Sequence, residues 1–311
     1  MIIIVIIGKN DTKGELMDHL LSVFIKVAEK RNFSRAAEEL HMTQPSVSQQ
    51  IQLLEKHIGT KLLIRTNKHV QLTKAGEIVF SHAKEITSLY KRMSTLVSDL
   101  MNEATGLLKI GASYTFGEYV LPHILAKLKT MYPDVIPSVQ IGNTREIVQA
   151  VLGHQIDIGI VEGDVVNQNL FIKTFATDEM YIIAGINSEF DIDKEVSIEQ
   201  LEQQTWIVRE EGSGTREATE RLFNRLQIRP TTLIEFGSTQ LIKEAVEAGL
   251  GITYLSELTV KKEKLLNTIL FLQVKGTPIK RNFSVISEAF QLQTKAMKVF
   301  IECIENHYEN D

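Results

Sequence analysis

Apolar residues recur at every third or fourth position through the first third of the chain, and this spacing predicts helices. The expected first helix begins near Met17 and has its apolar positions at Leu20, Phe24, Val27 and Ala28. The segment RNFS interrupts the pattern, and Ser34 is the expected N-cap of a short second helix, RAAEEL. The paired alanines of that helix, Ala36 and Ala37, allow another helix to approach closely.

The segment HMTQPSVSQQIQLLE, residues 41–55, predicts a third helix with two different faces. Thr43 is its expected N-cap, and Pro45 falls in the first helical turn, where the missing N–H costs nothing. One face is apolar and consists of Val47, Ile51 and Leu54. The other face carries neutral hydrogen-bonding side chains that can read base edges, namely Gln44, Ser48, Gln49 and Gln52. Two short helices joined by a tight turn, the second with such a face, predict a helix-turn-helix.

A β-hairpin wing is expected after this third helix, which Gly59 should end. The segments KLLIRT and HVQLT alternate apolar and polar residues on either side of TNK, which is typical of two short paired strands. Arg65, Lys68 and His69 lie at the tip of this hairpin, where basic side chains can contact phosphates.

One long helix should follow the wing, capped by Thr73 and running from about Lys74 to Glu103. Its apolar positions recur at sevens, at Val79, Ile86, Met93 and Leu100. A sustained heptad on a single helix predicts the seam of a coiled-coil dimer. The alternative is that this face packs against the body of its own chain.

From Gly106 onward, short apolar strands alternate with amphipathic helices, which predicts an α/β body with a mostly parallel sheet or sheets. The expected strands cover residues 107–113, 136–142, 156–161, 179–185, 205–208, 232–236, 251–255 and 283–287. The expected helices cover residues 118–132, 144–153, 215–226, 238–249 and 294–308.

Charge separates the two parts of the chain. The whole chain has a net charge of −5, yet residues 17–105 carry 12 Lys and Arg against 9 Asp and Glu, whereas residues 106–311 carry 20 against 28. A mildly basic front on an acidic body indicates that only the front meets an acidic partner. The single cysteine, Cys303, excludes a disulfide framework.

Residues 1–16 fit none of these patterns. Their apolar run, Ile2–Ile7, is too short to span a bilayer and lacks the basic segment of a signal peptide. This extension is expected either to be untranslated, with synthesis starting at Met17, or to be disordered.

The sequence shows no sign of catalysis, because the eight histidines lack metal-ligand spacing and Ser213 lies in EGSGT rather than in a G-x-S-x-G elbow.

Residues 32–76, NFSRAAEELHMTQPSVSQQIQLLEKHIGTKLLIRTNKHVQLTKAG, resemble the DNA-binding domain of LysR-type bacterial transcriptional regulators. The resemblance implies an all-α front with a winged helix-turn-helix over residues 17–74, a linker and dimerisation helix over 75–105, and an α/β effector-binding domain of type 2 periplasmic-binding-protein architecture over 106–311. It also implies a cytoplasmic homotetramer that binds double-stranded operator DNA, acts with RNA polymerase and needs no cofactor beyond a small effector. The residues expected to contact DNA are Gln44, Pro45, Ser46, Ser48, Gln49, Gln52, Arg65, Thr66 and Lys68.

The same resemblance implies a ligand cleft between two α/β lobes. Lobe I would comprise residues 106–177 and 279–311 and lobe II residues 178–278, with chain crossings near Thr177 and Pro278. Three short polar segments should converge on the cleft, each at a helix N-terminus, where backbone N–H groups favour an anion. The expected ligand-binding residues are Ser113, Tyr114, Thr115, Asn143, Thr144, Arg209, Ser213, Gly214, Thr215 and Arg216. The alternative is that their hydroxyls are ordinary N-caps.

Four phrases of the effector domain, GASYTFGEYVLP, GNTREIVQAV, DIGIVEG and VREEGSGTRE, resemble Gram-positive regulators that activate sulfite reductase genes. The resulting prediction is a regulator that responds to a small anionic metabolite and activates sulfur-assimilation genes. Two other classes stay open at this point. One is a solute-binding protein that uses the same α/β fold without a DNA role, and the other is a metabolic enzyme with an accessory domain.

Overall fold

The structure, a computed structural model, describes residues 11–65, 70–99, 104–191, 193–289 and 293–308. The chain forms two compact units, Met1–Thr95 and Leu96–Asp311. We call them the front unit and the α/β unit. Within the described ranges, no helix is both long enough and apolar enough to cross a lipid bilayer.

The front unit is the expected winged helix-turn-helix followed by a long helix. Its elements are α1 (Asp11–Lys30), α2 (Phe33–Glu39), α3 (Gln44–Ile58), β1 (Leu63–Arg65), β2 (Val70–Leu72) and α4 (Lys74–Asp99). The first helix begins at Asp11, ahead of the expected start at Met17. One apolar core holds the elements together, and its fully buried members include Leu20, Phe24, Val47, Ile51 and Leu54.

The cap of α2 differs from the prediction. Asn32, not Ser34, is the N-cap, and its side-chain oxygen accepts a hydrogen bond of 3.0 Å from the Arg35 backbone N–H. The helix starts early because Phe33 enters its first turn and is buried in the core. Ser34 therefore lies inside the helix.

The start and end of α3 agree with the prediction. The Thr43 hydroxyl accepts a 3.4 Å hydrogen bond from the backbone N–H three residues on, and Pro45 lies in the first turn. Gly59 ends the helix in the left-handed conformation, with φ of 83°. That conformation is open to glycine at no steric cost, so the stop is encoded locally.

The wing is an antiparallel pair in which Leu63 lies opposite Leu72 and Arg65 opposite Val70. The hairpin is therefore confirmed. Two residues of the predicted phosphate-contacting tip, Lys68 and His69, lie outside the described residues, as does the predicted DNA-contacting Thr66.

The long helix α4 begins after Thr73, whose hydroxyl accepts a 2.9 Å hydrogen bond from the Gly76 N–H, as expected of its cap. The heptad positions of α4 divide between two environments. Val79 is half-buried and packs against the core of the front unit. Further along, the helix leaves apolar side chains exposed, including Ile86, Leu89, Tyr90, Met93 and Val97. The last predicted seam position, Leu100, lies outside the described residues.

The α/β unit alternates strands and helices as expected. Its elements are β3 (Gly106–Ser113), α5 (Tyr114–Tyr119), α6 (Leu121–Met131), β4 (Val135–Gly142), α7 (Thr144–Leu152), β5 (Ile158–Glu162), β6 (Leu170–Gly185), α8 (Ile198–Glu202), β7 (Thr205–Arg209), α9 (Gly214–Leu226), β8 (Thr232–Phe236), α10 (Thr239–Glu247), β9 (Thr253–Ser256), a 3-10 turn (Glu257–Val260), α11 (Lys261–Leu266), β10 (Ile269–Phe271), β11 (Ile279–Glu288) and α12 (Lys295–Tyr308). The expected single helix over residues 118–132 is instead two helices that meet at Val120. Pro122 explains the break, because proline suits the first turn of a new helix rather than the middle of an old one.

The prediction of a mostly parallel arrangement is wrong, because the main sheet is mixed. Its strand order is β10-β6-β11-β5-β3-β4, with β9 also pairing with β6, and β7-β8 form a separate parallel pair. Strand β3 pairs in parallel with β4 and β5, whereas β11 runs antiparallel to both β5 and β6. The sequence missed the first half of β6 because most of its side chains are exposed or half-buried without a regular alternation, and several are polar.

Strands β6 and β11 lie side by side along the α/β unit, from Ile279 opposite Met180 to Glu288 opposite Leu170. The first half of β6 pairs with β11, which in turn pairs with β5, and its second half pairs with β9 and β10. The register of the β6–β11 pair shifts between Phe283 and Ser284. Two apolar clusters centre on residues of the expected lobe I and two on residues of the expected lobe II, and β6 and β11 contribute residues to clusters of both groups.

Candidate functional site

The helix α3 presents the polar face that its sequence predicts. Val47, Ile51 and Leu54 are fully buried. The opposite face is open, with exposed side chains at Gln44, Pro45, Gln49 and Gln52 and half-buried ones at Ser46 and Ser48. Six of the predicted DNA-contacting residues therefore lie on the accessible side of one rigid helix. Arg65 ends β1, and Thr66 and Lys68 follow it outside the described residues.

Glu55 connects α3 to the wing, a role that the sequence reasoning missed. Only 7 % of its side chain is exposed. One carboxylate oxygen accepts hydrogen bonds from the backbone N–H groups of Leu62 (3.0 Å) and Leu63 (3.4 Å), and the other accepts one from Lys61 (2.7 Å). The available signal was an acidic residue beside Ile51 and Leu54 on the apolar face. This carboxylate fixes the base of the wing relative to α3.

The pKa of Glu55 makes this connection sensitive to acid. Burial alone would raise the pKa, but the hydrogen bonds from Lys61 and the two wing N–H groups outweigh it and hold the pKa below its ordinary value of 4.5. Because the folded-state pKa is depressed, the charge stabilises the fold above the unfolded pKa. That stabilisation is lost as the pH falls through the folded-state pKa.

Replacing Glu55 with Gln should reduce the hydrogen-exchange protection of the Leu62 and Leu63 amides by about tenfold at neutral pH, since a charge-assisted bond becomes a neutral one. The difference from the parent protein should shrink as the pH falls below about 4.5. Glu38→Gln, a change at an exposed residue of the same unit, is the matched control. Equal protection in both variants at neutral pH would contradict the role given to Glu55.

Two of the three predicted polar segments meet inside the α/β unit. Ser113, at the end of β3, lies 3.3 Å from Thr144 between the two hydroxyl oxygens, and the Thr144 hydroxyl donates to the Glu162 carbonyl at 3.2 Å. Ser113 makes no side-chain cap bond, although it precedes α5. All three residues are buried, so they form part of the wall between β3, β5 and α7.

Arg281, which the sequence reasoning did not identify, is buried among segments of both expected lobes. Its guanidinium lies 2.8 Å from Glu162 and 2.8 Å from Asp178. It also donates to the hydroxyls of Thr115 (3.0 Å) and Thr215 (3.1 Å), which lie at the starts of α5 and α9. Arg281 therefore links the expected lobe I and lobe II segments through protein atoms alone.

The charges of this central group shift each other's protonation. Burial would lower the pKa of Arg281, but Glu162 and Asp178 outweigh it and raise that pKa above its ordinary value. Burial raises the pKa of the Asp178 carboxyl, against the opposing effects of Arg281 and the Ser256 hydroxyl. Glu162 in turn accepts the backbone N–H of Phe116 at 3.2 Å, so a protein carboxylate occupies the N-terminus of α5.

The two predicted ligand-binding arginines are also held by protein partners. Arg209 is 1 % exposed and donates to both carboxylate oxygens of Glu210, at 2.7 and 2.8 Å, and to the Thr239 hydroxyl at 3.0 Å. Its guanidinium carbon lies 4.5 Å from the centre of the Tyr114 ring. Arg216 donates to Glu220 at 2.7 Å, to Glu235 at 3.1 Å and to the carbonyl of Arg209 at 3.0 Å.

Residues of two of the three segments are helix N-caps. Asn143 accepts the Glu146 N–H at 3.0 Å in a capping box, and its side-chain amide donates to Glu210 at 3.3 Å. Ser213 accepts the Thr215 N–H at 3.2 Å. These side chains therefore have structural roles at the starts of α7 and α9.

A pocket of about 370 Å³ opens beside these helix starts. We call it the mouth pocket; its lining residues are Thr144, Arg145, Asp164, Val165, Glu211, Gly212, Ser213, Arg216, Glu217 and Glu220. Three of the predicted ligand-binding residues, Thr144, Ser213 and Arg216, line it. Thr115 and Thr215 lie in the Arg281 group, and Ser113 in the wall behind. The volume is within the range of small-molecule sites.

Comparison with protein families decides the class of the chain. A family described as "Bacterial regulatory helix-turn-helix protein, lysR family" matches residues 19–77, and one described as "LysR substrate binding domain" matches residues 101–309. The chain is a LysR-type DNA-binding transcriptional regulator. This membership decides against an enzyme and against a solute-binding protein without a DNA role.

Individual relatives of this LysR-type chain agree with the assignment. It is 38% identical over 291 residues to the HTH-type transcriptional regulator CysL of Bacillus subtilis, covering 94% of this chain and 97% of that protein. Full-length CbnR complexed with its target DNA superposes with a TM-score of 0.70 at 23% identity, covering 93% and 99% of the two chains. The CcmR regulatory domain of Synechocystis PCC6803, in complex with 2-PG, superposes at 0.62 with 26% identity, covering 66% of this chain and 99% of that one.

Proposed function

We propose that this regulator reads its operator through the exposed face of α3 and holds the DNA backbone through the wing. The observation that carries the proposal is the rigid helix that buries Val47, Ile51 and Leu54 and leaves a row of neutral Gln and Ser side chains accessible. Gln can bond adenine bidentately, and Ser can bond several base edges. The similar protein CbnR has been captured with its target DNA, which supports this use of the fold.

Replacing Gln44 with Ala should weaken operator binding by about 1–3 kcal/mol and relax the preference at one base pair, because a base contact is lost. Replacing Lys68 with Ala should instead weaken binding to all sequences alike and flatten the dependence of affinity on salt, because a phosphate contact is lost. Fluorescence anisotropy on operator and random duplexes at several salt concentrations measures both effects.

Gln203→Ala, at an exposed position of the α/β unit, is the control for this pair and should leave both affinities unchanged. Equal losses on random DNA from Gln44→Ala and Lys68→Ala would remove the division between base-reading and phosphate-binding residues.

We further propose that a small effector with an anionic group binds at the mouth pocket and biases the arrangement of the lobes. The pocket lies where three of the predicted ligand-binding residues meet, and a binder there shifts the population of lobe arrangements. The similarity to a regulatory domain in complex with 2-PG supports a small-molecule site in this fold. Thr144, Ser213 and Arg216 would border the effector directly, whereas Ser113, Tyr114, Thr115, Asn143, Arg209, Gly214 and Thr215 would act as its supporting wall.

The proposed targets are sulfur-assimilation genes, with the chain acting as an activator in the cytoplasm. The 38% identity to CysL supports this choice. Binding of the purified regulator to the sulfite reductase promoter of its own genome, measured against promoters of unrelated operons, tests it. A preference for another class of promoter would refute the proposed sulfur-assimilation targets, while the assignment as a DNA-binding regulator would stand.

The exposed apolar face of α4 supports self-association through that helix. Ile86, Met93 and Val97 each expose half or more of their side chains, which a partner helix would cover. We propose a homodimer through this seam, a tetramer built from two dimers, and contact with RNA polymerase when bound to DNA. Sedimentation of the parent protein and of a Met93→Lys variant tests the seam, since the charge should dissociate a dimer that depends on it.

A further inference from the structure

Two buried arginines of the α/β unit already have protein partners, and this limits where an effector could bind. The guanidinium of Arg281 is buried between Glu162 and Asp178 and bonds the Thr115 and Thr215 hydroxyls. Arg209 is likewise enclosed by its own partners. An effector meets the protein at the mouth pocket without displacing these groups, so the lining of that pocket decides which ligand fits.

Most charged side chains that line the mouth pocket form ion pairs with other side chains of the protein. Arg216 binds Glu220, and Arg221 binds Asp164 and Glu217. Two lining residues differ. In the part of the chain that the structure describes, neither Arg145 nor Glu211 has a side-chain hydrogen bond or ion pair, and both side chains are exposed to the pocket opening. They carry opposite charges.

Both residues line the pocket beside Gly212, Arg145 through contact with it and Glu211 as its chain neighbour. The Arg145 backbone N–H donates to the Gly212 carbonyl at 3.1 Å, and the Arg145 side chain lies across the Gly212 backbone. A Cβ atom at position 212 would come within 3.0 Å of the Arg145 Cβ and 3.1 Å of its Nε, and Gly212 has φ of +88°. Glycine is therefore needed both for the turn and for this approach. Glu211 is the chain neighbour of Gly212 and also lines the pocket.

We propose that the mouth pocket takes a small zwitterion of the α-amino-acid type, whose anionic group meets Arg145 and whose ammonium group meets Glu211. This rests on the proposed function and narrows it, because a plain anion would satisfy Arg145 but face Glu211 with no compensating charge. The lining as a whole contains four carboxylates and two guanidiniums, which also disfavours a plain anion. A ligand with both charges pairs each free side chain through a charge-assisted hydrogen bond.

Isothermal titration calorimetry on the full chain near neutral pH tests the proposal. The probes are L-serine, L-homoserine, L-cysteine and O-acetyl-L-serine. Each is compared with two modified forms. The N-acetylated form keeps the carboxylate but lacks the ammonium group, and the methyl ester lacks the carboxylate. Sulfate and thiosulfate serve as plain anions. At least one zwitterion should bind about tenfold or more tightly than both of its modified forms.

Three variants assign the effect to residues. Glu211→Gln should remove the advantage of the zwitterion over its N-acetylated form, because the zwitterion loses its carboxylate partner and the N-acetylated anion no longer faces an uncompensated negative charge. Arg145→Gln should weaken both, and Glu195→Gln, at an exposed position of lobe II away from the pocket lining, should change neither.

Several results would overturn the zwitterion assignment. One is binding of an N-acetylated form, sulfate or thiosulfate as tightly as any zwitterion; this would leave the anionic effector of the proposed function intact. An unchanged preference in Glu211→Gln would equally refute it. Binding of none of these probes would refute both the zwitterion and the anionic effector at this pocket, while operator binding by α3 would still stand.

Discussion

Replacing Arg281 with Met should lower the free energy of unfolding of the α/β unit by about 3–5 kcal/mol, because it leaves buried carboxylates without their counter-charge. Arg281 lies 2.8 Å from both Glu162 and Asp178, and all three side chains are nearly inaccessible to solvent. Removing a single partner of such a group costs far more than the group contributes when complete. Denaturant unfolding followed by Trp206 fluorescence measures the loss, since this only tryptophan is fully buried in the α/β unit.

The pH dependence of this variant provides a second readout. Without Arg281, burial would raise the folded-state pKa of Asp178 further above its unfolded value, so the folded state would bind more protons. Stability should therefore recover as the pH falls from neutral towards the ordinary carboxyl range. Lys280→Met, the neighbouring exposed position on the same strand, is the matched control and should change stability by less than about 0.5 kcal/mol. A loss below about 1 kcal/mol in Arg281→Met would show that the buried charges relax without it.

Replacing Gly214 with Ala should have the second-largest effect, a loss of roughly 3 kcal/mol in the stability of the α/β unit, because the start of α9 lies directly against β5. A Cβ atom at this position would lie 2.4 Å from the carbonyl oxygen of Glu162 and 3.0 Å from its carbonyl carbon. The obstacle is backbone, which cannot rotate aside. The helix would have to withdraw from β5, disturbing the bond between Thr215 and Arg281 as well. Denaturant unfolding and zwitterion affinity together measure the change.

Gly237 provides the control for this substitution. It lies in the same lobe, and a Cβ atom there would have no neighbour within 4 Å. Gly237→Ala should therefore be neutral or slightly stabilising, because it reduces the conformational freedom of the unfolded chain. If Gly214→Ala were equally mild, the close contact between α9 and β5 would not be a constraint on the fold.

The front unit could be predicted from its sequence because its determinants are local. The caps at Thr43 and Thr73, the proline in the first turn of α3 and the glycine at its end each act within a few residues. One local error, the cap of α2, arose because the burial of Phe33 extended the start of the helix by two residues. Burial depends on the neighbouring helices and cannot be seen in the segment itself.

The cleft was only partly predictable, because its central contacts join remote positions. Arg281 and Thr115 are 166 positions apart, and no spacing rule relates them. The carboxylate partners of Arg209 and Arg216, two residues that were expected to face the ligand, were also missed. Here a signal was present, since Glu210 adjoins Arg209 and Glu220 lies four residues after Arg216, the spacing of a helical ion pair. Such neighbours neutralise a cation before any ligand arrives.

The paired strands β6 and β11 should allow the two expected lobes to twist relative to each other more easily than to bend. A linker made of flexible loops would let two lobes swing about a hinge, but a hydrogen-bonded ribbon resists bending in its own plane and yields by twisting. The register shifts between Phe283 and Ser284, where a bulge interrupts the ladder and increases the local twist. Effector binding at the mouth pocket would therefore rotate one lobe relative to the other about the axis of the β6–β11 ribbon.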